Sequence, residues 1–170
     1  MGDSSIRRAV EADAETLAEL GRDTFVAAFA HLYPPQDLQA FLAEAYAVDS
    51  FEAFLAHPDY AIWIAEASGR AVGYAHAGPC SLPHPEVTAD CGELKRLYVR
   101  PDVQNGGVGA ALMQTALRWL EAPGRTLWIG VWSQNVGAQR FYARYGFHKV
   151  GEYEFPVGAT RDHEFILRRG

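Results

Sequence analysis

The hydrophobic pattern of the chain switches between a period of two residues, typical of strands, and a period of three to four, typical of amphipathic helices. A short strand is predicted over residues 5–10. A helical pattern then starts at Ala12 and must end before Pro34. Further helices are predicted over residues 36–46 and 51–56, with Asp49 and Ser50 capping the second of these. The first third of the chain is therefore predicted to be mainly helical.

The remainder of the chain alternates strands with helices. Residues 60–66 and 71–77 are rich in β-forming residues and flank Ser68-Gly69, which predicts a hairpin. Two helices are predicted, one from Gly107 to the stop at Pro123 and one over residues 135–145. The remaining strands are predicted over residues 92–99, 126–132, 147–153 and 161–167. We find neither an internal repeat nor a linker, so residues 1–170 are predicted to form one domain with a single mixed sheet.

Composition narrows the classes of function. A hydrophobic content of 49% in 170 residues suffices for one ordinary core. The net charge of −6 and the lack of basic stretches interleaved with aromatics argue against nucleic-acid binding. No apolar run approaches the roughly 20 residues that span a bilayer, and the N-terminal residues have no signal-peptide pattern. We therefore expect a cytoplasmic protein without membrane partners, and a cationic small substrate is mildly favoured.

A glycine-rich segment between a strand and a strong amphipathic helix is the first candidate binding site. It reads Gln104-Asn105-Gly106-Gly107-Val108-Gly109-Ala110. Glycines let backbone N–H groups approach a diphosphate, and the following helix adds the positive end of its dipole. No Gly-Lys-Ser/Thr follows, and Leu112 stands where a dinucleotide fingerprint would have its third glycine. A simple tight turn into a helix remains the alternative.

Two motifs together resemble the GCN5-related N-acetyltransferase (GNAT) family. The first is Gln-x-x-Gly-x-Gly after the strand Leu94-Lys95-Arg96-Leu97-Tyr98-Val99, which is similar to that family's coenzyme A motif. The second lies in residues 132–147, where an Asn caps a helix and a Tyr follows within it. Residues 23–29 and 153–158 are also similar to the spermine/spermidine acetyltransferase branch.

The resemblance implies an α/β (α+β) fold with a single, mostly antiparallel sheet of six to seven strands and about four flanking helices. It also implies transfer of the acetyl group of acetyl-coenzyme A to a primary amine of a small molecule, with a polyamine favoured, in a ternary complex and without a metal. An acyl-coenzyme A sensor without turnover, or an enzyme that acetylates protein N-termini or lysines, remains an alternative. In relatives, edge strands near the C-terminus often pair between two subunits, so the resemblance is also compatible with a homodimer.

The residues expected to hold the co-substrate follow from the two motifs. Backbone N–H groups on the strand before the loop would bind the pantetheine and the acetyl oxygen. The loop would bind the diphosphate, and the second motif would contact the pantetheine. The expected residues are Leu97, Tyr98, Val99, Gln104, Asn105, Gly106, Gly107, Val108, Gly109, Ala110, Asn135, Ala138 and Tyr142.

Two side chains are candidates for proton transfer. Tyr142 occupies the position at which the family carries a tyrosine facing the thioester, so it is the expected general acid toward the leaving thiolate. An alkylamine has a pKa of about 10 and must lose a proton before it attacks. Glu93 is the leading base, either directly or through water, and Asp90 is a reserve. Equally, Glu93 could form an ion pair with Lys95 or Arg96.

The acceptor pocket is expected where the early helices and the hairpin close over the amine in relatives. Core packing is the alternative role for each of its candidates. The candidates are Phe25, Phe29, Tyr33, Tyr74 and His76.

Overall fold

One seven-stranded mixed sheet dominates the computed structural model, which describes residues 4–104 and 106–170. The strand order is β1-β2-β3-β4-β5-β7-β6, and only the β4–β5 pair is parallel. The strands span Ser4–Arg8 (β1), Ala61–Ala67 (β2), Arg70–Pro79 (β3), Gly92–Val99 (β4), Leu127–Trp132 (β5), His148–Val157 (β6) and Thr160–Arg169 (β7).

Five α-helices flank the sheet in the described part of the chain. Short 3₁₀ turns precede and follow the first helix and precede the glycine-rich loop. The helices span Ala14–Phe29 (α1), Pro35–Ala45 (α2), Val48–Ala56 (α3), Val108–Leu120 (α4) and Val136–Ala143 (α5). The predicted class, a mixed and mostly antiparallel sheet with flanking helices, is confirmed. No helix in residues 4–104 and 106–170 is long and apolar enough to cross a membrane.

The β2–β3 hairpin forms where the sequence predicts it. Ser68 and Gly69 both have positive φ angles, 53° and 73°, which matches the twist of a two-residue hairpin turn. The predicted cap of α3 is wrong: the helix begins at Val48, so Asp49 and Ser50 lie inside its first turn. Ala47, which has an extended backbone, occupies the N-cap position, and its methyl side chain cannot form a capping hydrogen bond.

The two faces of the sheet bury separate cores. On one face α4 packs its fully buried Leu112, Met113 and Leu120 against the strands, and α5 packs beside it. On the other face α1, α2 and α3 cover β2 and β3 around Leu17 and Phe51. A third, smaller cluster joins Leu82 of the loop after β3 to Trp128 on β5, next to the junction of β4 and β5.

That junction opens because the two central strands separate. β4 and β5 pair only where Gly92 and Glu93 face Leu127 and Trp128. Beyond Glu93 the strands diverge, and the edge of β4 that faces β5 has no strand partner. Backbone N–H groups on such an edge must find another partner, and a bound substrate can supply it. The parallel pair therefore creates a cleft in the middle of the sheet.

A β-bulge changes the alternation of side chains in β4. His76 pairs with Arg96 and Ala77 with Leu94, so Lys95 is an extra residue between the two pairs. The bulge therefore interrupts the regular alternation of side chains close to Glu93, where β4 separates from β5.

Candidate active site

A cavity of about 690 Å³ occupies the space between the separated strands. The facing edges of β4 and β5 form its floor, and α1 covers it from above. One end lies beside the segment that follows β4 and beside α5, whereas the other is walled by β6 and β7. The cavity therefore extends from the region of the two sequence motifs to the wall formed by β6 and β7.

The structure brings all the co-substrate candidates outside the glycine-rich loop, and Gln104 at its start, to the first end of this cavity. The Gln104 side chain turns back and donates a hydrogen bond to the Val99 carbonyl, 3.1 Å away, which fixes the start of the loop. The candidates that line the cavity are Leu97, Tyr98, Val99, Gln104, Asn135, Ala138 and Tyr142.

Residues 106–110 of the glycine-rich loop lie outside the cavity wall, at the N-terminus of α4. Gly107 precedes the helix with a φ of 85°, and a Cβ added there would meet no atom within 4 Å. No side chain of the described residues caps α4, so its first N–H groups remain for a ligand. An uncapped helix N-terminus with an open glycine fits a diphosphate. Gly106, Gly107, Val108, Gly109 and Ala110 are all described, whereas the prediction for Asn105 lies outside the described residues.

The second motif folds as predicted. The Asn135 side-chain oxygen accepts a hydrogen bond from the Ala138 N–H at 3.1 Å and caps α5. This cap orients α5 so that Tyr142 lines the cavity. Burial raises the pKa of the Tyr142 phenol to about 12, which keeps it protonated at neutral pH. Tyr142 can therefore donate a proton or a hydrogen bond into the cavity.

Glu93 lies in the floor of the cavity and is firmly held. Its side chain is only 8% exposed, and Oε1 accepts hydrogen bonds from the Ser81 N–H at 3.0 Å and from Lys95 Nζ at 2.9 Å. The ion-pair alternative from the sequence is thus present in the structure, with Lys95 as the partner. Arg96 instead lies over the Tyr46 ring, 4.6 Å from its centroid. The reserve candidate Asp90 is on a solvent-exposed turn, does not line the cavity and accepts a hydrogen bond from Thr88.

The far wall of the cavity carries two carboxyl groups that the sequence reasoning missed. Asp162 and Glu164 alternate along β7 and face the same side of the sheet as Trp132 on β5. Asp162 accepts a hydrogen bond from the Tyr33 hydroxyl. Two acids at alternate positions of a predicted strand were the available signal, but only the sheet order shows that they line a cavity.

Three of the five predicted acceptor residues line the cavity. Phe25, Phe29 and Tyr33 form part of its α1 side, and Phe29 packs edge-on against Tyr98 and Trp132 at centroid distances of 6.3 and 6.1 Å. These contacts place aromatic surface against the mouth between β4 and β5.

The assignment of Tyr74 and His76 to the acceptor pocket is wrong. Tyr74 is fully buried beneath Phe51 and lies outside the cavity wall. His76 is 2% exposed and packs against Phe54 and Tyr60 at the far side of the same helical layer. Burial, together with the nearby cations of β4, lowers the pKa of His76 to about 3. Both residues are core residues because α3 packs directly on β3.

Comparison with known proteins identifies the family. The family model described as "Acetyltransferase (GNAT) family" matches residues 22–147. The chain belongs to the acetyltransferase (GNAT) family. It is therefore an N-acetyltransferase by descent. The matched residues include β4 and β5, between which the cavity lies.

Individual relatives agree with this assignment. An uncharacterised N-acetyltransferase of Mycobacterium tuberculosis (strain ATCC 25618 / H37Rv) is 32% identical over 160 residues, 92% of this chain and 97% of the relative. Another from Lactobacillus delbrueckii subsp. lactis is 29% identical over 164 residues, 94% and 92% of the two chains.

Solved structures share the fold. The PaiA N-acetyltransferase of Thermoplasma acidophilum, solved in complex with coenzyme A, superposes with a TM-score of 0.77 at 21% identity and covers 98% of both chains. The ribosomal-protein-S18-alanine N-acetyltransferase of Escherichia coli superposes with a TM-score of 0.71 at 20% identity, over 98% of this chain and 93% of its own. At these identities the likeness concerns the fold alone.

Proposed function

We propose that this protein transfers the acetyl group of acetyl-coenzyme A to a primary amine of a small, polycationic acceptor, directly and in a ternary complex. The observation that carries the proposal is the single cavity that joins the two motif regions to an acidic wall. Gln104, Asn135 and Tyr142 border its first end, and Asp162 and Glu164 border the second. One continuous space suits two substrates that react with each other without a covalent enzyme intermediate.

Acetyl-coenzyme A fits the first end on chemical grounds. The open N-terminus of α4 suits the diphosphate, and the unpaired edge of β4 suits the amide groups of pantetheine. The coenzyme A complex of the Thermoplasma structure supports this choice of co-substrate. Leu97, Tyr98 and Val99 then supply backbone N–H groups near the thioester, where they oppose the charge that develops on its oxygen.

The charges at the second end favour an acceptor with more than one amine. Lys95 is neutralised by Glu93, and Arg96 is engaged by the Tyr46 ring and the Ala45 carbonyl. Among the described residues, neither Asp162 nor Glu164 forms an ion pair with a lysine, arginine or histidine. Ammonium groups spaced along a flexible chain could meet both carboxylates, as in spermidine or spermine. This also agrees with the likeness of residues 23–29 and 153–158 to polyamine acetyltransferases.

The roof of the acceptor end supports a small molecule over a protein substrate. The Asp37 carboxylate on α2 accepts hydrogen bonds from the Ala159 N–H at 3.1 Å and the Thr160 hydroxyl at 2.6 Å. Tyr33 likewise bonds to Asp162 on β7. These contacts join the α1–α2 segment to the β6–β7 hairpin across the acceptor end. A bridged roof leaves less room for an extended peptide than an open groove would.

The residues of the cavity divide the chemical work. The aromatic side chains of Phe29 and Trp132 exclude water from the reacting groups. The Tyr142 phenol, protonated at neutral pH, gives its proton to the departing coenzyme A thiolate. Before it attacks, the acceptor ammonium gives up one proton to a carboxylate or to water.

The experiment that tests this function follows the release of coenzyme A thiol with a panel of amines. The panel contains spermidine, spermine, amino acids, aminoglycosides and a peptide with a free N-terminal alanine. We expect the highest kcat/KM with the polyamines. Fully N-acetylated spermidine, which has no primary amine, is the matched control and should release no thiol above background.

The outcomes separate the competing functions. Binding of acetyl-coenzyme A without thiol release for any amine would indicate a sensor rather than an enzyme. Faster turnover of the peptide than of every small amine would indicate a protein acetyltransferase. Either result would refute the proposed acceptor.

A further inference from the structure

We propose that the carboxylate of Glu164 is the base that removes the proton from the acceptor ammonium, and that Glu93 is a positioning residue that holds Lys95. This inference rests on the proposed function and deepens it. The sequence points to Glu93 because of its place on β4. The tertiary structure instead places a second carboxyl group in the same cavity, with different surroundings.

Glu164 lies at a central position of the acceptor wall. It pairs with Trp132 on β5 and with Tyr153 on β6, and side chains paired across antiparallel strands share a face of the sheet. All three residues line the cavity. β5 forms one edge of the cleft proposed to hold the thioester, and β7 lies beyond β5. The Glu164 carboxylate is therefore on the side of the cleft from which the acceptor amine would approach.

The hydrogen bonding of the two glutamates differs. Oε2 of Glu164 is buried and has no hydrogen-bond partner among the described residues. Oε1 of Glu93 already accepts hydrogen bonds from Lys95 Nζ, the Ser81 N–H and the Ser81 hydroxyl at 2.9, 3.0 and 3.4 Å. The charge of Glu93 is thus already paired with Lys95, whereas the Glu164 carboxylate has no such partner to give up when the acceptor arrives. In addition, an ammonium next to Glu93 would also meet the positive charge of Lys95.

The surroundings of Glu164 tune it for proton transfer at neutral pH. Burial, with a smaller contribution from the nearby Asp162 carboxylate, raises its pKa to about 7. A general base is most effective when its pKa lies near the working pH. The titratable or charged groups that line the cavity with Glu164 come from β7, β6, β4, α5, the α1–α2 segment and the residue after α2: Asp162, Tyr153, Glu93, Lys95, Arg96, Tyr98, Tyr142, Tyr33 and Tyr46.

Gly130 makes room for this arrangement. A Cβ at Gly130 would lie 2.7 Å from the Tyr153 hydroxyl, so the tyrosine reaches over β5 only because that position has no side chain. Burial raises the pKa of Tyr153, and the carboxylates of Glu164 and Glu93 raise it further. A neutral phenol beside the carboxylate can orient the acceptor without competing for its proton.

The proton balance of the step is complete. The acceptor ammonium gives one proton to Glu164, and the free amine attacks the thioester carbonyl to form the N–C bond. The C–S bond then breaks, and the leaving thiolate takes the proton of the Tyr142 phenol. The second amine proton returns to the Tyr142 phenolate, and Glu164 releases its own proton to solvent. The products are the N-acetylated amine, coenzyme A thiol and one proton.

The test is a pH profile of kcat/KM for the wild type and three matched glutamate-to-glutamine variants, measured with the most active amine of the panel. The wild type should lose activity below about pH 7, as Glu164 becomes protonated. Glu164→Gln should lower kcat/KM by about 10²–10⁴-fold and remove this acidic limb. Glu93→Gln should retain the limb at a lower rate. Glu152→Gln, at an exposed position on β6 outside the cavity, should match the wild type.

A second measurement is independent of turnover. The ¹³C shift of the Glu164 carboxyl, assigned by its disappearance in Glu164→Gln, should titrate near pH 7 in the absence of substrates. An active Glu164→Gln that keeps the acidic limb would overturn the proposal, as would loss of that limb in Glu93→Gln alone, or titration of Glu164 at the ordinary pKa of a glutamate. Absence of turnover by the wild type with every amine would overturn the proposed function as well, so the two failures can be told apart.

Discussion

Removing the charge of Glu164 should stabilise the protein at alkaline pH, although it should abolish most of its activity. The pKa of this carboxyl is raised from 4.5 to about 7 by burial and by Asp162. Between these two pH values the native state binds more protons than the unfolded state, so the stability of the wild type falls as the pH rises. A pKa change of this size corresponds to roughly 3 kcal/mol, and water that enters the cavity reduces the expected effect to about 2 kcal/mol.

The variant Glu164→Gln carries a neutral side chain of the same size at every pH. At about pH 4.5 the wild-type carboxyl is itself largely neutral in the native state, so both proteins should have similar stability. At about pH 8 the variant should be more stable by about 2 kcal/mol. For a chain of this length the gain corresponds to a rise in Tm of roughly 4–8 °C.

The assay is urea unfolding at the two pH values, followed by the fluorescence of the four tryptophans. Glu93→Gln provides a control of opposite sign. It removes the carboxylate that pairs with Lys95 and leaves a largely buried ammonium without its counter-charge, which should cost about 2–3 kcal/mol. Glu152→Gln should change little, because that side chain is 48% exposed.

One result would refute the reasoning. If the wild type and Glu164→Gln lost or gained stability in parallel between the two pH values, the Glu164 carboxyl would not be desolvated in the native state. Its assignment as a base tuned to neutral pH would then fail together with the stability argument.

Three further predictions concern the co-substrate end. Tyr142→Phe should lower kcat by about 10²–10⁴-fold with little change in acetyl-coenzyme A affinity, and an unchanged rate would make the residue a core residue only. Gly107→Asp should weaken acetyl-coenzyme A binding, measured by calorimetry, far more than Gly107→Asn. Both residues tolerate a φ of 85°, but only aspartate places a negative charge beside the diphosphate, so equal affinities would contradict the loop assignment. Asn135→Ala should lower the free energy of unfolding by about 1 kcal/mol and Asn135→Ser by much less, since serine also caps helices; equal losses would show that the cap contributes nothing.

Local pattern determined the elements of this fold. The hairpin at Ser68-Gly69, the strand Gly92–Val99 and the cap at Asn135 all formed where the sequence predicts them. Each depends on interactions within a few residues: a turn that needs positive φ, a run of strand-forming residues and a side chain that bonds to its own helix. The cap predicted at Asp49 and Ser50 failed because α3 begins at Val48, directly after the extended Ala47, so the residues that carry the local signal lie inside the helix.

The composition of the acceptor end depended on tertiary structure. Tyr74 and His76 lie on a strand that was expected beside the amine. In the structure, Phe51 and Phe54 of α3 pack on them and bury them in the core. Glu164 is far from Glu93 in sequence and joins the same cavity only because β7 is inserted between β5 and β6. Strand order depends on long-range pairing, which hydrophobic periodicity does not encode.

The sequence by itself therefore determined the type of chemistry, because two local motifs identify the acetyltransferase family. The separation of β4 from β5 and the insertion of β7 decided which carboxylate is paired and which is free. The physical reason is that the desolvation and hydrogen bonding of a carboxyl group are properties of its three-dimensional surroundings, and these distinguish Glu164 from Glu93 where residue type does not.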